Sequence, residues 1–458
     1  MLDGLLHHLL VMLGVLLGAA IVGHLVTQRR TPQAISAWLL LIFLIPWLGI
    51  PLYLMLGGRK MRALAQQKGP LRLTARSEAS PHETPLEKQL DGGGIPPSVA
   101  GNQITLNADG VAGYASLLEV IRSAQQSLWL TTFILGRDAV GRAVIDALAE
   151  RARAGVDVRL LLDGVGSLRV TRRDLAPLLE AGGHFSHFMP LLHLPFRGRS
   201  NLRNHRKMTI ADGQRVWTGG CNTAAEYIGP EPDPARWTDL SCVVEGPAAR
   251  VFVDVFAGDW RFATGETLTL PPSPTTEPDE PGARLQVIPS GPDVPNDPLL
   301  GGLLMAIFRA SRSIRIITPY FVPPESVTQA LCLAANRGVD VAVLVPQVSN
   351  HRLADWARGP HLREMGNAGV RIVAYPRMIH AKTWSIDGSV IFVGSANCDE
   401  RSLLLNFEIM TAIHQGEILS RFNDWIDSRF HESQPWRDTS NQVTRIGEGF
   451  AEILAPLL

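Results

Sequence analysis

Two stretches near the start of the chain are almost wholly apolar. Gly4 to Val26 holds no Lys or Arg, and Ala34 to Leu56 holds no charged residue at all. Each is long enough to cross a bilayer core as a helix, so the pattern predicts an N-terminal transmembrane helical hairpin. Pro46 and Pro51 are expected to bend its second arm. Trp38 and Tyr53 lie near that arm's ends, where aromatic rings favour the headgroup zone. A cleaved signal peptide would need a basic stretch ahead of the apolar run, and no Lys or Arg precedes Arg29. The connection holds Arg29 and Arg30, and Arg59, Lys60, Arg62, Lys68, Arg72 and Arg76 follow the second arm. This bias places the C-terminal part in the cytoplasm, with those residues facing anionic headgroups.

Gly69 to Asn102 is rich in Gly, Pro, Ser and charge, with no sustained period, and reads as a tether. From Gln103 the pattern alternates. Ser127 to Leu135 is a β-rich apolar run, Ala139 to Ala154 has helical spacing, and Val156 to Leu162 is a second apolar run ending at Asp163. The phrase returns as Ser313 to Phe321, Gln329 to Asn336 and Val339 to Val345, and Gly155-Val-Asp-Val is repeated as Gly338-Val-Asp-Val. Between the copies, prolines from Pro271 to Pro281 exclude a helix or central strand. The reading is an α/β chain of two duplicated lobes. Residues 1–60 form two transmembrane helices, 61–102 a linker, 103–270 the first lobe, 271–282 a Pro-rich linker and 283–458 the second lobe.

Composition narrows the classes. Formal net charge is zero over 458 residues, whereas nucleic-acid binders usually carry a basic excess. Cys221, Cys242, Cys332 and Cys398 are scattered, form no CxxC pair and read as small core residues rather than metal ligands. No metal and no cofactor is expected.

Each lobe carries one copy of a polar pattern. The first is His205-x-Lys207-x4-Asp212 followed by Gly219-Gly220-x-Asn222. The second is His380-x-Lys382-x4-Asp387 followed by Gly394-Ser395-x-Asn397. Six residues separate the Asp from the first Gly in both. Met208 to Ala211 and Thr383 to Ile386 read as strands closed by Asp-Gly turns. In extended chain His205 and Lys207 share one face, as do His380 and Lys382. Apposed lobes would then place two imidazoles, two ammonium groups and two Asn amides around one cavity. Such a cavity suits a phosphodiester. The cations stabilise the charge on a pentacoordinate phosphorus, one imidazole attacks, and the other protonates the leaving alkoxide. An attacking imidazole needs its tautomer set, usually by a carboxylate. Asp239 and Glu408 sit at comparable places on the next strand of each lobe, and Asp239 is expected to serve His205 and Glu408 to serve His380. Asp212 and Asp387 are candidate catalytic acids, or else ties for their own turns.

The duplicated pattern resembles the paired HKD motifs of the phospholipase D superfamily, from about Gln103 to the C-terminus. Within it, Thr318-Pro-Tyr-Phe-Val-Pro323, Asn204-His-Arg-Lys207 and the run from Asn397 through Arg401 and Asn406 to Glu408 are similar to bacterial cardiolipin synthases. So is Trp38 to Pro46 with Gly57. The resemblance implies two lobes sharing one active site, a phosphohistidine intermediate, and condensation of two phosphatidylglycerols to cardiolipin and glycerol. It also implies phosphatidylglycerol and other anionic phospholipids as partners, no nucleic acid, and a multi-pass location in the bacterial inner membrane. Gly220 departs from the pattern, standing where Ser is expected and where Ser395 stands in the second copy.

His205 is taken as nucleophile and His380 as general acid. Flanking Arg203 and Arg206 would keep His205 neutral, and Glu408 would favour a protonated His380. Arg197, Arg199, Arg203 and Arg206 read either as a headgroup-gathering cluster or as a solvated strand edge. The apolar stretch Phe185 to Phe196 reads either as a membrane-dipping loop or as lobe packing. A different acceptor (water or another alcohol), a membrane-anchored phosphodiesterase or nuclease, and a non-enzymatic scaffold are the competing functions. The hairpin and zero net charge speak against the nuclease, and intact His and Lys in both copies speak against the scaffold.

Overall fold

The computed structural model describes residues 12, 16–23, 32–47, 49–50, 53, 68–74, 84–189, 202–273 and 282–454. In the first lobe the strands are β1 (Val99–Asn107), β2 (Ser127–Thr132), β3 (Asp157–Asp163), β4 (His184–Phe188), β5 (Met208–Ala211), β6 (Arg215–Gly219) and β7 (Ser241–Glu245). In the second they are β8 (Ala283–Ser290), β9 (Ser313–Ile317), β10 (Phe321–Val322), β11 (Asp340–Pro346), β12 (Arg371–Tyr375), β13 (Thr383–Ile386), β14 (Val390–Gly394), β15 (Cys398–Asp399), β16 (Glu408–Gln415) and β17 (Gln434–Pro435).

Among the described residues, all but the short pair β10 and β15 join one sheet. Its order is β17-β12-β11-β9-β13-β14-β16-β8-β1-β7-β6-β5-β2-β3-β4. Read outward from the β1–β8 seam, both halves follow one plan, β1-β7-β6-β5-β2-β3-β4 against β8-β16-β14-β13-β9-β11-β12. The expected duplicated α/β architecture is therefore present, and the lobes share a sheet as well as a fold.

Local sequence accounts for each half. Asp138 caps the helix Ala139–Arg153 by accepting the Gly141 amide at 2.9 Å, and Arg151 and Arg153 complement its C-terminal end. Val140, Val144 and Leu148 recur every fourth residue and are buried. That helix connects the parallel strands β2 and β3, as the helix Glu325–Asn336 connects β9 and β11. Beneath the seam, the helices Ala249–Thr264 and Ile418–His431 pack a shared core with Trp129, Phe252, Phe256, Phe407 and Phe422. Each such side chain contributes roughly 1.5–3 kcal/mol of burial. Cys221, Cys242 and Cys398 are buried and Cys332 is half-buried, all as free thiols.

The expected linker 61–102 is not a free tether where it is described. Residues 68–74 lie along the helix Ala249–Thr264. The Thr74 amide donates to Asp254 at 2.6 Å and the Leu71 amide to the Asp293 carbonyl at 2.9 Å. Pro85–Gly92 is a helix with a reciprocal Thr84–Glu87 capping box, and Glu87 pairs with Arg284 at 2.7 Å. One short helix and single polar anchors leave no hydrophobic period to read. Lys68, expected at the lipid headgroups, is instead buried between the lobes.

Of the expected hairpin, residues 12, 16–23, 32–47, 49–50 and 53 are described, including the helix Pro32–Leu44. Its other positions, with Arg29, Arg30, Arg59, Lys60 and Arg62, lie outside the described residues. Among the described residues no helix is long and apolar enough to cross a membrane. Trp38 and Tyr53 do not mark two separate ends. They pack edge to face, ring centroids 5.3 Å apart. Positions 274–281 of the Pro-rich segment, and Leu191, Leu192, Leu194, Phe196, Arg197 and Arg199, also lie outside the described residues. Phe188 and Met189 belong to the core, as the packing reading of that stretch requires.

Candidate active site

Each motif begins just before the strand that ends in its Asp-Gly turn. The segment carrying each histidine pairs with the opposite lobe. Asn204 bridges in parallel to Phe407, with the His205 amide donating to the Phe407 carbonyl at 2.9 Å. Thr238 bridges in parallel to Ile379, with the His380 amide donating to the Thr238 carbonyl at 2.7 Å. These two crossings bring the motifs together at the seam.

They also exchange the carboxylates. His205 Nδ1 lies 3.1 Å from Glu408 Oε2 and 3.1 Å from the Ser395 carbonyl. His380 Nδ1 lies 2.7 Å from Asp239 Oδ2. The expected pairing of Asp239 with His205 and Glu408 with His380 is therefore reversed. Within one lobe β6 stands between motif strand β5 and β7, next to which Asp239 sits, and β14 stands likewise between β13 and β16. Two inter-strand spacings, about 10 Å, are too far for a hydrogen bond. The opposite lobe's acid is delivered directly by the crossing. Each carboxylate, bonded to Nδ1, leaves Nε2 as the ring atom for chemistry.

Lys207 and Lys382 are buried beside the imidazoles. Lys207 Nζ donates to the His205 carbonyl at 2.6 Å, and Lys382 Nζ lies 2.9 Å from His380 Nε2. Burial pushes both ammonium groups down, Lys207 to about 7 with Lys382's charge adding, and Lys382 to about 8 against the pull of Asp239 and Glu408. Burial also lowers both imidazoles. For His380, burial and Lys382 outweigh Asp239 and take it to about 3. For His205, burial with Lys207 and Lys382 outweighs Glu408. Burial pushes the Glu408 carboxyl up, but His205 and Lys207 hold it below its usual range.

Two electrostatic expectations change. His380 is not held protonated by its carboxylate. Arg206 is not what keeps His205 neutral, because it turns away to Asp259 at 2.7 Å and Asp293 at 3.3 Å. Arg203 pairs with Asp163 at 3.4 Å. Neither is a solvated strand edge, since both are buried.

The remaining candidates divide. Ser395 Oγ donates to Glu408 and accepts the Ile409 amide at 2.9 Å. Asn222 Oδ1 accepts the Ile134 amide at 3.2 Å, and Asn397 is buried with no hydrogen-bond partner for its Oδ1 among the described residues. At Gly220 a Cβ would come within 2.3 Å of Asp239 Oδ1, so the missing hydroxyl leaves room that the carboxylate itself uses.

Asp212 and Asp387 are not in the cavity. Asp212 accepts the amides of Gln125, Gln126 and Ser127 at 2.7–2.8 Å, and Asp387 those of Ser311, Arg312 and Ser313 at 2.7–3.2 Å. Both have φ of 53°, which Asp tolerates in such turns. They are ties for their turns. Sequence reasoning missed Phe133, edge-on to His205 at 4.9 Å, and Tyr227, edge-on to His380 at 4.9 Å. Phe133 lies within the apolar run Ser127 to Leu135, where nothing sets it apart from core residues.

Two duplicated α/β lobes with a His-Lys pair from each, meeting at one seam, define a phospholipase D-like enzyme. The comparisons with known proteins narrow this. The family model described as cardiolipin synthase, PLD-like domain, matches residues 117–260 and 303–430, and the phospholipase D-nuclease N-terminal model matches residues 15–58. The chain is 32% identical to the major cardiolipin synthase of Bacillus subtilis (strain 168), covering 94% of this chain and 95% of the relative. It is 32% identical to cardiolipin synthase A of Pseudomonas putida (strain W619), covering 97% and 96%. Phosphatidylserine synthase of Haemophilus influenzae Rd KW20 shares the fold, with a TM-score of 0.63 at 13% identity over 82% of this chain and 99% of that one. The chain belongs to the phospholipase D-like cardiolipin synthase family.

Proposed function

We propose that this enzyme condenses two phosphatidylglycerols into cardiolipin and glycerol. His205 Nε2 attacks the phosphorus of the first lipid, the bond from phosphorus to the glycerol oxygen breaks, and His380 gives that oxygen a proton. The hydroxyl of a second phosphatidylglycerol then attacks the phosphohistidine, His380 takes its proton, and the P–N bond breaks. Lys207, Lys382, Asn222 and Asn397 stabilise the phosphorane charge.

The observation that carries this reading is the crossed pair of dyads, each imidazole oriented at Nδ1 by the other lobe's carboxylate. His205 as attacker is supported by its greater reach, its side chain being 11% exposed against 4% for His380. His380 takes up the proton it needs from solvent as the substrate binds, because an anionic phosphodiester beside its ring raises its proton affinity. The choice of lipid rests on the full-length relatives and the apolar N-terminal segments, which on this reading anchor the protein in the bacterial inner membrane as a multi-pass hairpin with cytoplasmic lobes.

The test is lipid mass spectrometry of the full chain in phosphatidylglycerol vesicles, with His205→Ala and His380→Ala beside it. Cardiolipin and glycerol in equal amounts are expected, with each variant losing activity by at least about 10³-fold. Phosphatidic acid as sole lipid product would replace the reading with a hydrolase. A variant near wild-type rate would break the shared-site mechanism.

A further inference from the structure

Behind His205 lies a closed cluster of charge that the mechanism does not use. Asp259 and Asp293 have side chains with 0% exposure. Arg206, also fully buried, reaches both. One guanidinium cannot balance two carboxylates. The second positive charge is Lys68, which pairs with Asp259 and lies 2.6 Å from Asp293 Oδ2. Burial pushes the Asp293 carboxyl up, but Lys68 and Arg206 outweigh this and hold it below its usual range.

The balanced cluster grips both halves of the His205–Glu408 dyad. Asp259 Oδ2 accepts the Asn204 amide group at 2.9 Å, and Asn204 Oδ1 accepts the Arg206 backbone amide at 3.1 Å, which fixes the chain on either side of His205. Arg206 Nε donates to the Glu408 carbonyl at 3.0 Å. The Lys68 ammonium lies 4.4 Å from the ring centroid of Phe407, whose carbonyl accepts the His205 amide. Lys68 therefore touches the network on the histidine side and the residue next to the acid on the other.

We infer that Lys68 is a positioning residue. By neutralising the Asp259–Asp293 pair it holds the Asn204–Lys207 and Phe407–Glu408 segments at the separation that aligns His205 for attack. The inference rests on the phosphodiester-transfer reading. It gives a role to the segment that joins the N-terminal apolar region to the lobes, since the seating of that segment and the alignment of His205 become one condition.

The experiment is Lys68→Met in the full chain, in phosphatidylglycerol vesicles, read by glycerol release so that the acceptor is immaterial. We expect kcat to fall at least about 30-fold with KM within about threefold, the signature of lost transition-state alignment. The acid limb of the pH–rate profile should move, because Glu408 no longer faces His205 squarely. Lys68→Arg should recover most of the rate. Lys68→Met combined with Asp293→Asn, which restores charge balance without the lysine, should recover at least about tenfold over Lys68→Met, the coupling expected for residues in one network. A folded Lys68→Met with wild-type kcat and pH profile overturns the inference. If Lys68→Met does not fold, the double variant decides: rate recovered supports the inference, and folded protein without rate overturns it. A wild-type chain that releases no glycerol would instead overturn the functional reading.

Discussion

At the residue scale the site is defined by burial of titratable groups that elsewhere stand in water. Two imidazoles and two ammonium groups share a small volume with Asp239 and Glu408, and desolvation is the largest influence on all four bases. The sign of the pH dependence follows. A lowered imidazole stays neutral, and able to attack, down to pH values below the ordinary 6.5 of histidine. The lysines are charged below their lowered values and lose that charge as pH rises through them. We therefore expect kcat/KM, which reports the free enzyme, to fall as pH rises through about 7 to 8, following Lys207 and Lys382. Glycerol release at substrate far below KM, measured from pH 5 to pH 9, checks this. A profile still rising at pH 9 would mean that the lysine charges are not needed.

At the scale of elements, strands and turns do separate work. The Asp-Gly turns after β5 and β13 are tied by Asp212 and Asp387 to the loops that open β2 and β9. Asp212→Ala or Asp387→Ala strands three backbone amides each and should cost about 2 kcal/mol of stability. Activity per folded molecule should stay within about threefold, because neither carboxylate touches the cavity. Thermal melts paired with active-site titration would separate the two effects, and a 10³-fold loss in a fully folded variant would return these residues to the chemistry. The sequence showed the strands Met208–Ala211 and Thr383–Ile386 and the helix from Ala139 clearly, because hydrophobic period and turn residues are local. It showed His205, Lys207, His380 and Lys382 because duplication made a short pattern specific. It did not show which acid meets which histidine, because that contact joins residues of different lobes across a seam with no sequence period. Lys68 was misread for the same reason: a basic residue beside an apolar segment reads as a headgroup contact until its buried carboxylates are seen.

At the scale of the whole molecule the N-terminal segment and the lobes are continuous, since residues 68–74 lie on the helix Ala249–Thr264. Deleting residues 1–56 leaves that contact in place. We expect the shortened chain to fold and to keep its dyads, while leaving the membrane fraction after high-salt washing. A wild-type chain that needs no detergent, or a shortened one that stays fully membrane-bound, would contradict anchoring by the apolar segments. The exchange of carboxylates across the seam carries a further consequence. A protein built of one lobe alone would own a histidine and an acid that never meet, and would need a second copy, related by a two-fold axis, to make any site. Such a protein would work only as fast as its copies found each other. Joining the copies in one chain replaces dilution by a fixed local concentration. It also ends the obligation to be symmetric. In a pair of identical copies every substitution is made twice, but in the fused chain one half can change while the other stays, and Gly220 facing a carboxylate where Ser395 offers a hydroxyl is that freedom put to use.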